Sequence, residues 1–563
     1  MTRRIRNSIL AGVLLVSTST LPIQAQNNNR FEVSKQLDIV NAVVKEVEMY
    51  YVDSVNVDKM VKRGIDAMLG GLDPYTVYYP EKDMNEFKMM TTGEYAGMGA
   101  YIRQRKNNKG VVITEPFEGM PAQKAGVKAG DIILKIDTID VTHATSKEVS
   151  DILKGVPNTS MTLSLRRPNQ KEPLKIDVTR KKVVINQVTW YGVQQDSIGY
   201  IYLKSFTDKS AKEMKDAFSD LRDHHHIKSL IIDLRDNGGG LLQDAVRIVS
   251  MFVPKGSEVI STKSKMKQWD HTYRTLVEPI DTLMPLAILI NGNSASASEI
   301  VSGSLQDMDR AVLLGNRSFG KGLVQSTRDI PFNGKVKVTI SKYYIPSGRC
   351  IQQLDYSHRN PDGSVATIPD SLTSIFHTAA GRLVRDGGGI RPDFEVKVDK
   401  LPTLMYYLLT DYVLFDFVTN WTQKHETIAP IEDFNVTDQD YEDFKAYAKK
   451  ENFTYDRQSI KTLDRLKEVA DFEGYLDKSD STLLKPLIEK LTPNLDRDFE
   501  NNKAEVKKAL ASEIIKRYYY QKGELRQNLK EDKVLEKARE VLSSPQQYKK
   551  TLATPKEEQE VKP

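Results

Sequence analysis

Three short segments carry residue types that can act on an acyl group. Ser296 lies in Asn-Gly-Asn-Ser-Ala-Ser, between the apolar run 286–290 and a segment with helical spacing that reaches about Met308. A strand-to-helix turn at this point holds the hydroxyl above a sheet, beside helix N-terminal amides able to receive an oxyanion. The spacing differs from G-x-S-x-G, so it does not indicate the usual hydrolase triad. A base is still needed, and no histidine fits well. His224, His225 and His226 precede a strand at its far end and read as a surface run, while His271, His358 and His377 have no locating motif. Lys321 is the better candidate. Burial makes an ammonium costly and leaves a neutral amine that can accept the serine proton, and the flanking Gly320 and Gly322 allow tight packing around it. Gln325 follows four residues later. On a helix it shares a face with Lys321 and can orient the amine. Gly315, Gly320 and Lys321 also match a phosphate loop, but Gly322 stands where the magnesium-holding Ser or Thr belongs, which argues against nucleotide chemistry.

These residues need a scaffold. Leu230–Leu234 reads as a strand, Asp236–Gly240 as a glycine loop, and Leu242, Ala245, Val246, Val249 and Phe252 as one helical face. The run 286–290 with its following helix repeats the unit, and 311–314 is a third strand. As parallel neighbours these strands place the loops 236–240, 291–296 and 315–321 at one carboxyl edge, where α/β sheets hold ligands.

The rest of the chain reads as separate modules. Leu37, Val40, Val44, Val47 and Tyr51 recur at helical spacing after a polar Asn27–Asn29 linker, and 60–69 is amphipathic, which predicts a helical cap over 30–89. Short β-rich runs separated by Gly and Asp predict a compact module over 90–180. Alternating strands and helices follow over 188–400. Beyond Leu401 a charged, helical stretch extends to 553, readable as a dimer interface, an adaptor-binding arm or a buttress, and 554–563 reads as a disordered tail.

Composition narrows the function. The 563 residues suffice for three or four domains. One cysteine, Cys350, rules out an intramolecular disulfide and a zinc site built on several thiolates. Lys and Arg exceed Asp and Glu by five, and by two without Arg3, Arg4 and Arg6, which argues against a nucleic-acid partner. Those three arginines begin a leader with an apolar stretch at 9–16 and small Ala25 before Gln26, the pattern of a cleaved secretory signal. The expectation is an exported protein, with the periplasm as its compartment.

DLRDNGGGLL, NSASASEIVSGSLQDMDRAVLLGNRSFGKGLVQ, KYYIPSGRCIQ and GGGIRPD together resemble the successive blocks of the carboxy-terminal processing (tail-specific) proteases, the S41 peptidase family, over roughly 35–400. The resemblance implies an α/β multidomain protein with a crotonase/ClpP-like α/β protease core. It implies Ser296 as nucleophile, Lys321 as base, Gln325 as its partner, and an oxyanion hole from the amides of Ala297 and Gly239. The family loop carries proline where Gly238 stands, which loosens the loop and leaves Gly239 and Gly240 both open for that role. TTGEYAGMGAYI and PFEGMPAQKAGVKAGDIILKID resemble a PDZ domain, with Gly97, Met98, Gly99 and Ala100 as the carboxylate-binding turn. A peptide added as a strand beside such a turn is held by its terminal carboxylate. The implied substrates are proteins with exposed C-termini, and no metal or organic cofactor is implied. Dimers are expected, with room for an adaptor protein and for peripheral membrane association. The rival reading is an inactive PDZ scaffold or holdase.

Overall fold

The computed structural model describes residues 21–106, 109–475, 481–492 and 494–553. The chain divides into two compact units, Met1–Glu81 with Gln325–Thr339, and Lys82–Val324 with Ile340–Pro563.

In the first unit, helix Leu21–Tyr50 runs through Asn27–Asn29, which the sequence suggests as a linker. Asparagine inside a helix costs only a fraction of a kcal/mol, up to about 0.7, so three of them need not break one. The apolar stretch of the expected leader, like the tail 554–563, lies outside the described residues. Helix Val57–Gly70 begins at Asn56, whose side chain accepts the Lys59 N–H. Strand Val77–Tyr79 pairs antiparallel with Lys335–Lys337. The cap expected over 30–89 is therefore divided differently: helix Met84–Thr92 falls in the second unit.

The second unit holds the β-rich module. Strands Ala100–Gln104, Val111–Pro116, Ile132–Ile136, Ser160–Arg166 and Leu174–Thr179 pair in that order, all antiparallel, so Ala100–Gln104 is an edge. Helix Ser146–Leu153 starts with a reciprocal Thr145–Glu148 capping box and buries Val149 and Leu153 in the module's core.

The central sheet has six strands in the order Val188–Gln194, Ile198–Leu203, Ser229–Asp233, Leu286–Ile290, Val312–Gly315 and Phe394–Glu395. The first pairs antiparallel with the second and the remaining pairs are parallel. Parallel strands buried on both faces require continuous apolar runs, as in Leu286–Ile290. Ile201, Leu203, Ile232, Ile288 and Leu313 face helices Ser210–Asp223, Leu242–Val249 and Ala297–Asp307. Tyr200, Ile231, Leu289, Val312 and Leu314 face the other way, and Val534, Leu535, Ala538, Val541 and Leu542 cover them.

This last contact narrows the choices for the C-terminal stretch. Residues after 401 build their own core around Leu408, Phe417, Tyr441, Phe444, Phe499 and Ile514. The last two helices, Lys533–Ser543 and Pro545–Leu552, complete the second layer of the central sheet. That portion is a buttress. Tyr518 and Tyr520 bond within the chain, to the His425 carbonyl and to Gln123.

Candidate active site

The three loops do emerge at one edge, and the hydrogen bonds among them are dense. Asp236 Oδ1 accepts from Asn291 Nδ2 at 3.0 Å and Asn293 Nδ2 at 2.8 Å. The Ala295 N–H donates to the Asn237 carbonyl at 3.0 Å, and the Phe319 N–H to the Ser294 carbonyl at 3.0 Å. The first loop is thus tied to the second, and the second to the third.

Ser296 sits at the start of helix Ala297–Asp307 with φ +56° and ψ −111°, a backbone that L-residues seldom adopt. Such strain persists only where the surroundings enforce it. Here the enforcing group is Glu299, fully buried one turn into the helix. Its Oε2 accepts the N–H of Ser296 at 2.8 Å and of Lys321 at 2.9 Å. Its Oε1 accepts the Gly320 N–H at 2.6 Å and the Ser318 hydroxyl at 2.5 Å. One carboxylate oxygen therefore spans the serine and lysine main chains, which can be no further apart than two hydrogen bonds allow. Burial pushes the Glu299 carboxyl above its ordinary range against the pull of these four donors. Tyr343, also buried, donates its hydroxyl to the Ser296 carbonyl at 3.3 Å.

Glycines at this edge are sterically required. A Cβ on Gly239, at φ +98°, would meet the Ala295 carbonyl oxygen at 2.6 Å, Ser296 Cβ at 2.8 Å and Ala297 N at 2.9 Å. Gly239 is thus pressed against the serine turn. A Cβ on Gly240 would lie 2.0 Å from the Phe206 carbonyl oxygen, while Gly238 has nothing within 4 Å. The Gly239 N–H currently donates to Asn237 Oδ1 at 2.9 Å. Asn237 is itself fixed, donating from Nδ2 to the Leu203 carbonyl and accepting the Ser298 hydroxyl on its own carbonyl. Gly320 and Gly322 pack against Gln353 and Gln352, where a Cβ would approach to 2.5 and 2.9 Å.

One sequence expectation needs correction. Leu323–Ile330 is a strand, so Gln325 does not share a helix with Lys321. Lys321 precedes that strand and belongs to the second unit. Gln325 belongs to the first unit, where its Nε2 donates to Thr339 Oγ1 at 3.1 Å. The same strand removes the phosphate-loop reading, since no helix N-terminus follows Gly320-Lys321. His224 and His358 pair with Asp220 and Asp355 on the surface. No described hydrogen bond joins a histidine to the three loops. Cys350 is partly buried, and burial raises its thiol pKa.

In the β-rich module the Gly97–Ala100 turn is sewn to the next segment: the Met98 carbonyl accepts the Ala122 N–H at 2.8 Å and the Gly99 carbonyl the Phe117 N–H at 2.9 Å. The Tyr95 ring lies on Gly97, so close that a Cβ there would be 2.8 Å from Tyr95 Cε2. Desolvation pushes the Tyr95 phenol up to about 12, with the nearby Ala100 N–H opposing that rise. Among the described residues no group of three or more His, Cys, Asp or Glu side chains gathers as a metal site.

Glu299, Asn237 and Tyr343 are the residues the sequence reading left without a role. For Glu299 a signal existed: Ser-x-x-Glu at a helix start is the capping-box pattern.

The class defined by this fold and site also emerges from comparison with known proteins. Peptidase family S41 matches residues 197–362, a PDZ domain matches 112–167, and "Probable PDZ-protease, C-terminal helical domain" matches 404–542. A carboxy-terminal-processing protease of Bartonella bacilliformis is 35% identical over 349 residues, covering 61% of this chain and 79% of the relative. A probable CtpA-like serine protease of Staphylococcus aureus is 31% identical over 354 residues, covering 61% and 69%. The solved photosystem II D1 C-terminal processing protease is 27% identical, covers 66% of this chain and 95% of its own, and superposes with a TM-score of 0.35. The chain belongs to the S41 family of carboxy-terminal-processing proteases, and it carries that family's protease core with a PDZ domain and a C-terminal helical domain.

Proposed function

We propose that this chain is an exported serine endopeptidase that captures the C-terminal tails of unfolded or loosely structured proteins on its PDZ domain. It cleaves them with Ser296 and Lys321. The neutral Lys321 amine takes the Ser296 proton as Oγ bonds to the peptide carbonyl carbon, and the carbonyl oxygen becomes an oxyanion received by main-chain amides. Collapse breaks the C–N bond, and the Lys321 ammonium returns its proton to the departing amine. Water, deprotonated in turn by Lys321, then attacks the acyl ester, and as the ester C–O bond breaks the Lys321 ammonium returns that proton to Ser296 Oγ. Gln325 is the proposed partner of the lysine. Ala297 and Gly239 are the proposed oxyanion donors, the latter once its amide exchanges Asn237 for the substrate oxygen. The Gly97–Ala100 turn receives the tail's carboxylate.

The observation carrying this reading is the shared Glu299 carboxylate, because it holds the nucleophile and base segments in one frame. Incubating an unstructured protein with the wild type, Ser296→Ala and Lys321→Ala tests it. Only the wild type should cleave, at least about 1,000-fold faster than either variant, with all three equally folded by circular dichroism. A free C-terminus on the substrate should be cleaved faster than an amidated one. Equal cleavage by wild type and Ser296→Ala, or by neither, leaves the scaffold reading in its place.

A further inference from the structure

The C-terminal helical domain reaches the loop that supplies Gly239. Arg235 leaves the end of strand Ser229–Asp233 and begins that loop. Its guanidinium bonds Asp233 through Nε at 3.0 Å and Nη2 at 2.5 Å, and Asp532 through Nη2 at 2.6 Å. Asp233 also accepts the Tyr200 hydroxyl at 2.7 Å. Asp532 lies about 300 residues further along the chain and precedes helix Lys533–Ser543, whose first amides it caps: Oδ1 accepts the N–H of Val534 at 2.9 Å and Leu535 at 3.0 Å. That helix is rigidly seated, since Val534, Leu535 and Ala538 are buried on the sheet.

The charge balance makes this cluster unusual. Two nearly buried carboxylates share one guanidinium, so the group carries a net negative charge away from water. Buried ion pairs seldom repay their desolvation, and a second carboxylate adds to that cost. What the arrangement gives in return is a fixed Arg235. The adjacent Asp236 has φ +59° and is bonded to Asn291 and Asn293, so movement at Arg235 is passed directly to both catalytic loops.

We propose that Asp532 is a positioning residue for the oxyanion loop: the C-terminal helical domain sets the catalytic geometry through the Asp532–Arg235–Asp233 bridge. This rests on the Ser296 protease reading above. The bridge acts at the transition state, because it orders the loop that receives the oxyanion.

Asp532→Asn in the full chain isolates the effect, since Asn caps a helix about as well as Asp but carries no charge for Arg235. The expected result is a kcat lower by about ten- to a hundred-fold with KM unchanged, an unshifted melting temperature, and faster hydrogen exchange at residues 236–240. A wild-type kcat for Asp532→Asn overturns the proposal, as does a loss of kcat that tracks a lowered melting temperature or occurs without faster exchange in the loop. If wild type and Ser296→Ala are equally inactive, the protease reading falls and this proposal with it. If the wild type cleaves and Asp532→Asn cleaves equally, only the positioning role falls.

Discussion

On the proposed reading the catalytic edge and the PDZ turn face the same physical demand, presenting main-chain amides to a negatively charged oxygen of a peptide, and they would meet it with opposite materials. At the catalytic edge the framework is polar and buried: Glu299 gathers four donors, and Asn237 is bonded through its carbonyl and both ends of its amide. In the PDZ domain the framework is apolar, with Met98 packed beside Val111, Ile113 and Val178 beneath the turn. Yet at the catalytic edge a side-chain oxygen of the same chain already occupies a candidate amide, Asn237 Oδ1 on Gly239, whereas at the PDZ turn the Tyr95 phenol stands near the Ala100 amide. Hydrogen bonds have direction, and apolar packing mostly has volume. The polar frame can therefore hold the strained backbone of Ser296, whereas the apolar frame leaves the PDZ turn room to adapt to different tails.

The largest test of this contrast is Glu299→Gln. A carboxylate accepts on both oxygens, whereas an amide must point its NH2 either at Ser296 and Lys321 or at Ser318 and Gly320, donor against donor. Each stranded buried donor costs about 1–3 kcal/mol. The expected outcome is a kcat lower by about a hundred-fold or more together with a lower melting temperature, measured on a tail peptide and by calorimetry. A Gln variant with near-normal kcat would show that the frame does not hold the site.

A sharper test uses neighbouring glycines of one loop. Gly239→Ala forces a Cβ to 2.6 Å from the Ala295 carbonyl at a positive φ, so it should lower kcat/KM by about a hundred-fold. Gly238→Ala meets no atom within 4 Å and should leave kcat/KM within about two-fold while stabilising the fold by about 0.4–1 kcal/mol. Equal effects at the two positions would mean that the loop adapts as the PDZ turn does.

Much of the catalytic frame can be read in the sequence because it is local. The apolar runs ending at 234, 290 and 314, the first followed by Arg235-Asp236 and the others directly by Asn291 and Gly315, fix three strand-to-loop exits, and parallel pairing brings the loops to one edge. Gln325 was harder. After two glycines the sequence Leu-Val-Gln-Ser-Thr-Arg alternates only weakly, and the four-residue spacing from Lys321 suits a helix as readily as a strand. Asp532 could not be paired from sequence at all. Asp-Lys-Val-Leu announces a helix start, but nothing local says that its carboxylate meets an arginine about 300 residues earlier. Such a contact depends on how the helical layer closes over the sheet. The occupied amide of Gly239 is equally illegible, since its acceptor is a short side chain folding back on a turn whose geometry no periodicity records.

The smallest expected effect falls on the adaptable side of the comparison. Tyr95→Phe keeps the ring on Gly97 and removes only the phenolic oxygen near the Ala100 amide. If that oxygen competes with the tail's carboxylate, the variant should bind a labelled peptide with a free C-terminus about two- to twelve-fold more tightly, in keeping with the roughly 0.5–1.5 kcal/mol net value of one hydrogen bond. Fluorescence anisotropy measures this directly, and an amidated peptide, which lacks the charge, should gain much less. The reverse result is equally informative. Weaker binding by Tyr95→Phe would mean that the phenol donates its own proton to the carboxylate. The PDZ turn would then be a polar frame as well, and the contrast with the catalytic edge would lie only in how deeply each frame is buried.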